Sequence, residues 1–260
     1  MIAPDFAGVE EQMWIWLFAM IRPGAMMMAA PIFSATSIPI QLRLILSLAI
    51  GMAGVSSGTL DLPIDNIISL EGFLFVAGEV LVGVAIGFAL QIGYSASFVA
   101  GEVISNAMGL GFAMMIDPQT GRSTPVLGNF LSIVATLLLL AMDGHLMLIA
   151  ILVNSYTILP PGDAFMSAAS IHGLVNFGGT LFAMGLVIAL PVGSAIILVQ
   201  VIMAMLARSA PSLNLFAVGL PVALLGGLLL LAISAPIMAN GIMHALQDGL
   251  GQSALIAGGQ

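Results

Sequence analysis

The sequence predicts an all-α protein of bent, largely apolar helices set in a membrane, and three observations carry that prediction. Of 260 residues, 60% are hydrophobic and only 6% are charged, whereas soluble domains carry about 25% charged residues. The mean hydropathy is +1.19. The apolar residues are gathered into about six runs, several long enough to cross a hydrocarbon core of about 30 Å. Those runs are interrupted by Pro, Gly and isolated charges, and polar interruptions at membrane depth need protein neighbours.

Composition also removes several function classes. The net charge is −8, and the basic residues are four Arg with no Lys. That is too few cations for a nucleic-acid footprint. There is no cysteine, which excludes disulfides and thiolate metal sites. The N-terminal MIAPDFAGVEEQ is acidic and lacks a basic n-region. The expectation is therefore insertion through the first apolar segment, without a cleaved signal peptide.

That first segment runs from about Met13 to Phe33, with Arg22-Pro23 near its middle. A charge at the bilayer centre costs about 2.5–3.5 kcal/mol on insertion scales, and Pro removes a helical hydrogen bond. Two shorter helices with a snorkelling Arg22 would accommodate this. The favoured expectation is a bent helix with Arg22 turned toward protein. A turn over Ser34–Pro39 leads to a segment from about Ile40 to Val55, with Arg43 at its start, and then to a polar loop over 56–66.

The third segment, about Ile67 to Val99, holds Glu71 and Glu79, and Glu102 follows. Glu79 is read as an interface-level residue in preference to a buried polar group, and both readings stay open for Glu102. Gly83 and Gly87 stand four apart, a spacing that lets helix backbones approach closely. Among thirty Gly such a pair also arises by chance.

Gly101–Pro125 differs from its surroundings. It starts as helix and loosens through Gly109 and Gly111, since each Gly costs roughly 1 kcal/mol in a helix interior. It then passes the Met114-Met115 pair and closes on the polar turn Asp117-Pro118-Gln119-Thr120-Gly121-Arg122. A Met-rich segment ending in an anchored turn reads as a moving part. Met108, Gly109, Gly111, Met114, Met115, Asp117, Pro118, Gly121 and Arg122 are its candidate residues.

Pro125–Met142 is apolar, Asp143-Gly144-His145 breaks it, and the run resumes to Tyr156 before Leu159-Pro160-Pro161-Gly162-Asp163. His145 is expected to be a satisfied interfacial residue and not a proton relay. From Gly173 to Ala207 there is no charge. As one straight helix that run would span about 50 Å, so with Pro191 and Gly193 at its middle it either bends or exceeds the bilayer. The last segment follows Arg208-Ser-Ala-Pro211 and reaches Gln247, punctuated by Pro221, Gly226-Gly227 and Pro236. The Gly-rich tail, Asp248–Gln260, is expected to fray. No internal repeat stands out.

One block carries a family pattern: Leu206-Ala-Arg-Ser-Ala-Pro-Ser-Leu-Asn-Leu-Phe-Ala-Val-Gly-Leu-Pro221. Pro211, Leu213, Asn214, Phe216, Gly219, Leu220 and Pro221 resemble the Pro-x-Leu-Asn-x-Phe and Gly-Leu-Pro of the FliR / SctT family, the R (or T) subunit of the type III secretion export gate. As a helical hairpin the block is physically sensible. Arg208 suits a helix C-terminus, Pro211 suits a first turn, and Asn214 can satisfy free backbone groups. Arg22-Pro23, Pro31, Pro39 and Arg43 resemble the family's N-terminal hairpin. Ala100-Gly101-Glu102 through Asp117-Pro118 resemble its central segment, and Gly144-His145 with Ser155 through Gly162 the next. Where the family often has a Lys two residues after Gly-Leu-Pro, this chain has Ala223, so any pairing by that Lys is absent.

The resemblance implies a single export-gate domain over residues 1–260. It would comprise an N-terminal hairpin over 13–55, middle helices over 67–157 with a plug-like loop over 106–122, and a C-terminal hairpin over 173–245. It implies helical hairpins that assemble partly above the ordinary membrane plane, in a complex with P and Q subunits and the B and A export components. The setting would be the bacterial inner membrane at the flagellar basal body. The channel would pass unfolded export substrates, and the loop would close it. Arg22, Glu79, Glu102, Arg208, Pro211, Asn214, Phe216 and Pro221 are the candidate subunit-interface or hairpin residues. No cofactor or metal is expected.

Two other classes compete. A secondary transporter could use broken helices with intramembrane Arg22, Glu79 and Glu102 for ion coupling, but the absence of a repeat and the few segments count against it. A purely structural scaffold is opposed only by the loose central stretch. An enzyme is disfavoured: there is no His-Glu-x-x-His, and His145, His172 and His244 are scattered.

Overall fold

A computed structural model of the chain describes residues 6–55, 69–111, 125–162, 166–209 and 215–259. Those residues form eight helices and no strand. They are α1 (Phe6–Ala19), α2 (Ile21–Ala29), α3 (Ile40–Val55), α4 (Leu70–Ala107), α5 (Val126–Ala141), α6 (Gly144–Ile158), α7 (Ala168–Ser209) and α8 (Leu215–Ala257). The all-α expectation holds. By length and composition, α4, Ala168–Leu206 of α7 and Gly219–Ala257 of α8 can each cross a membrane, and the bent α5–α6 pair adds a fourth span if it crosses as one.

The breaks follow local chemistry. Pro23 has no N–H to give the carbonyl four residues earlier, that of Ala19, and the α1–α2 break falls there, at Met20. The Tyr156 hydroxyl donates to the freed Ala19 oxygen at 2.9 Å. α2 stops as Ala30 turns extended, with φ −77° and ψ 141°, as a residue before Pro must. Between α5 and α6, Asp143 takes a left-handed φ of 55°, a conformation Asp tolerates better than most residues. Pro191 lies inside α7, and Pro221 and Pro236 lie inside α8, without ending either helix. α7 is thus one 42-residue helix, the longer-than-bilayer alternative.

Two compact units share the chain. The first comprises Met1–Ile92, Leu140–Gly178 and Gln247–Gln260, and the second Gly93–Leu139 and Gly179–Leu246.

The first unit is closely packed around α2 and the first half of α4. A Cβ on Gly83 would lie 2.3 Å from the Arg22 carbonyl oxygen, and one on Gly87 would lie 2.5 Å from that of Met26. Glu79, Gly83 and Gly87 recur every four residues, so one face of α4 meets α2. Gly51 of α3 faces the Ala19 carbonyl, and Gly54 faces the Tyr156 ring. Phe18 and Phe75 meet edge to face with centroids 5.2 Å apart.

The expectation of a frayed tail is corrected here. α8 runs to Ala257, Leu250 and Ile256 are buried, and the Ser253 hydroxyl donates to the Ile86 carbonyl at 2.8 Å. Gly249 leaves room for the backbone of Ala89 and Leu90. The small residues that suggest disorder in isolation are what let this helix end pack onto α4.

In the second unit, α4 and α5 approach at Gly101, whose Cβ would fall 2.5 Å from the Gly128 nitrogen. The Tyr94 hydroxyl donates to the Ser132 carbonyl and lies 3.0 Å from the Thr136 hydroxyl. Ile188, Val192 and Ile196 of α7 and Ala223, Met238 and Ile242 of α8 are buried. Elsewhere α7 and α8 leave large apolar side chains exposed, from Val175 and Phe182 to Met205, and from Leu225 to Ile237.

Candidate functional site

The sequence places chemistry at three points, and each has a different outcome. The first is Arg22. It is fully buried, as is Glu79. Nε of Arg22 donates to Glu79 Oε2 at 2.8 Å and Nη2 to Oε1 at 2.9 Å, a bidentate pair. Nη1 donates to the Ser155 hydroxyl at 2.9 Å, and Nη2 also reaches the Leu159 carbonyl at 3.0 Å. The guanidinium carbon lies 4.4 Å from the centroid of the Tyr156 ring, within cation–π range. Arg22 thus faces protein, as expected, although the segment does split into two helices. The interface-level reading of Glu79 is corrected: its carboxylate is the counter-ion at the centre of the first unit. The pair lies far from either helix end, so a burial-driven partner is what makes both charges tolerable there.

The second point is the end of α4, where the loosening was expected. Gly109 has φ 78°, and the Gly109 N–H bonds the Asn106 carbonyl while that of Leu110 bonds Ser105, both at 3.0 Å. This is a Schellman stop, in which Gly supplies the left-handed residue after the helix. Gly109 therefore ends α4 in a defined way, which corrects the reading of it as a softener of a continuing helix. Met108 is fully buried, against Gly227, so of the proposed moving residues it is a seated one. Gly111 faces the Asn106 side chain. Met114, Met115, Asp117, Pro118, Gly121 and Arg122 lie outside the described residues.

The third point is the C-terminal hairpin. Arg208 is exposed in the last turn of α7, as suits a cation beside free carbonyls. α8 already runs from Leu215, so Phe216 lies in its first turn and Pro221 lies within the helix, not in the connection. Pro211 and Asn214 lie outside the described residues. Ala223 is buried, so the place where the family often carries Lys is a packing position in this chain.

Glu102 is partly buried beside Gly128 and Phe98, and its Oε1 has no hydrogen-bond partner among the described residues. The same holds for Nδ1 of His145. No group of three or more His, Cys, Asp or Glu side chains that could hold a metal occurs among the described residues. Sequence reasoning missed Tyr156 as the ring under Arg22, and Gln200, whose Nε2 donates to the Ala107 carbonyl at 2.6 Å. The visible signal for Gln200 was an amide in a run free of charge.

Comparison with known proteins agrees with this architecture. Residues 13–249 match the family pattern described as bacterial export proteins, family 1. The chain is 32% identical over 246 residues to the flagellar biosynthetic protein FliR of Escherichia coli (strain K12), covering 92% of this chain and 93% of that one. It is 27% identical to the FliR of Aquifex aeolicus (strain VF5) over 92% of each chain. Against the FliR of Bacillus subtilis (strain 168) it is 28% identical, over 79% of this chain and 80% of the other. The chain belongs to the family 1 bacterial export proteins, the family of the flagellar biosynthetic protein FliR.

Proposed function

We propose that this protein is a subunit of the flagellar type III export gate in the bacterial inner membrane, at the basal body, where it helps form and close the channel for unfolded export substrates. It works with the P and Q subunits and the B and A export components. The observation that carries the assembly part of this reading is the length of the apolar helices. With 38, 42 and 43 residues, α4, α7 and α8 measure about 57, 63 and 64 Å at a rise of about 1.5 Å per residue. Each is about twice the hydrocarbon thickness. α7 and α8 carry exposed large apolar side chains along most of that length. Apolar surface beyond the bilayer would meet water unless other protein covers it, and partner subunits with similar helices would do so.

Residues 106–122 act as the closure in this reading. Met side chains are adaptable enough to seal against varied surfaces, and Met114 and Met115 supply that seal. The chain acts through packing and movement, not catalysis. Nothing in the geometry favours the transporter reading, because Arg22 and Glu79 neutralise each other in a closed network and leave no free charge there for ion coupling.

The test is a strain lacking this chain. Flagellar substrates should remain inside the cell, and a plasmid copy should restore their export. Normal export in the deletion strain would overturn the proposal.

A further inference from the structure

We infer that Gln200 and Gly227 are positioning residues for the channel closure, holding the end of α4 as the fixed point from which the closure departs. The inference rests on the closure reading above. It starts from an accounting of the last four carbonyls of α4, which no continuing helix can satisfy. Ile104 O accepts from the Met108 N–H at 2.8 Å, Ser105 O from Leu110, and Asn106 O from Gly109. That leaves Ala107 O, and Gln200 Nε2 of α7 takes it at 2.6 Å. A helix end in apolar surroundings is stable only when this set is complete. The last member of the set comes from another helix.

A second contact fixes the same end from α8. Met108 is fully buried, and a Cβ on Gly227 would fall 2.7 Å from both its Cγ and its Cε. Any side chain at position 227 would displace Met108. The hydrogen bond sets the axial position of the α4 end, and the Met108 seat sets which way it faces. Immediately after both stands Gly109 in its left-handed conformation, so movement of the following segment pivots beyond Gly109 and leaves α4 in place. A closure that must reseal after each substrate needs such a fixed stem.

Two variants and one rescue test this in the assembled complex. Gln200→Leu alters a side chain exposed on α7 and removes the donor. It should raise small-ion leak through the resting gate roughly two- to tenfold, the population shift that one hydrogen bond commands. Complex yield and substrate export should stay near wild type. Gly227→Ala should leak similarly, and adding Met108→Ala should restore tightness by returning the space. A merely structural role would lower complex yield without altering leak per complex, and that result overturns the inference. If Gly227→Ala does not assemble, Gln200→Leu decides alone. Removal of Met114 and Met115 separates the two claims. If that deletion leaks while both point variants are tight, the positioning role fails and the closure reading stands. If neither the deletion nor the variants leak, the closure reading itself is wrong and the positioning role falls with it.

Discussion

Glu79→Leu is the perturbation with the largest calculable effect. It leaves the Arg22 guanidinium buried, with Nε stripped of its acceptor and Nη2 holding only the Leu159 carbonyl. Breaking a buried ion pair from one side costs about 3–5 kcal/mol, because the remaining charge is uncompensated. Typical domains have only about 5–15 kcal/mol in hand. The variant should therefore lower the thermal unfolding temperature of the purified complex sharply, and its yield with it. Arg22→Met alone should be as damaging, since it strands the carboxylate. The double variant Arg22→Met, Glu79→Leu removes both charges together. Replacing a whole buried pair by apolar residues is often neutral or stabilising by about 1–4 kcal/mol. Here the Ser155 hydroxyl still has the Leu152 carbonyl at 2.6 Å, but the Leu159 carbonyl loses a donor, at about 1–3 kcal/mol. The double variant should thus be more stable than either single one and close to wild type. Additive losses, or a Glu79→Leu complex that unfolds at the wild-type temperature, would refute the account of this pair.

Other expectations follow from single contacts. Gly83→Ala places a methyl group 2.3 Å from the Arg22 carbonyl. It should cost about 1–3 kcal/mol as overpacking, seen as a lower unfolding temperature, whereas Gly179→Ala, with open space at its Cβ, should not. Truncation before Leu250 removes Leu250, Ser253 and Ile256 from the first unit. With about 1.5–3 kcal/mol for each buried large apolar side chain, it should abolish stable complex, where a frayed tail would be dispensable. Gly109→Ala forces a Cβ into a left-handed conformation at about 1–2 kcal/mol. It should lower complex stability, in contrast to the stiffening that a helix-interior reading expects.

The membrane class, the helix runs and the breaks at Pro23, Asp143 and Pro160 were all legible, because they depend on local hydropathy and on the missing proline N–H. The burial of Arg22 was legible for a similar reason: a charge in that position has few other outcomes. Its partner was not, since Glu79 lies 57 residues away and nothing local distinguishes a counter-ion from an interface carboxylate. Glycine was the main source of misreading. Gly83 and Gly87 are close-approach positions, Gly109 is a helix stop, and Gly249 is a packing notch for α4. Their identical chemistry is resolved only by what lies opposite. The same holds for the tail, whose small residues read as disorder until the α4 backbone is placed against them. Of the closure residues, Met108, Gly109 and Gly111 are described, and Met108 is seated in packing while Gly109 terminates a helix.

The most direct test of the export-gate account is a photoreactive amino acid at position 114, probed with an export substrate arrested in transit by a folded C-terminal domain. The account predicts a crosslink between residue 114 and the unfolded part of the arrested substrate, and its loss when the export apparatus is inactive. A second photoreactive position on the exposed face of α7, at Phe182, should crosslink to partner subunits and not to substrate. Arrested substrate that fills the apparatus without touching position 114, while position 182 captures no protein partner, would contradict both the closure and the assembly on which it depends.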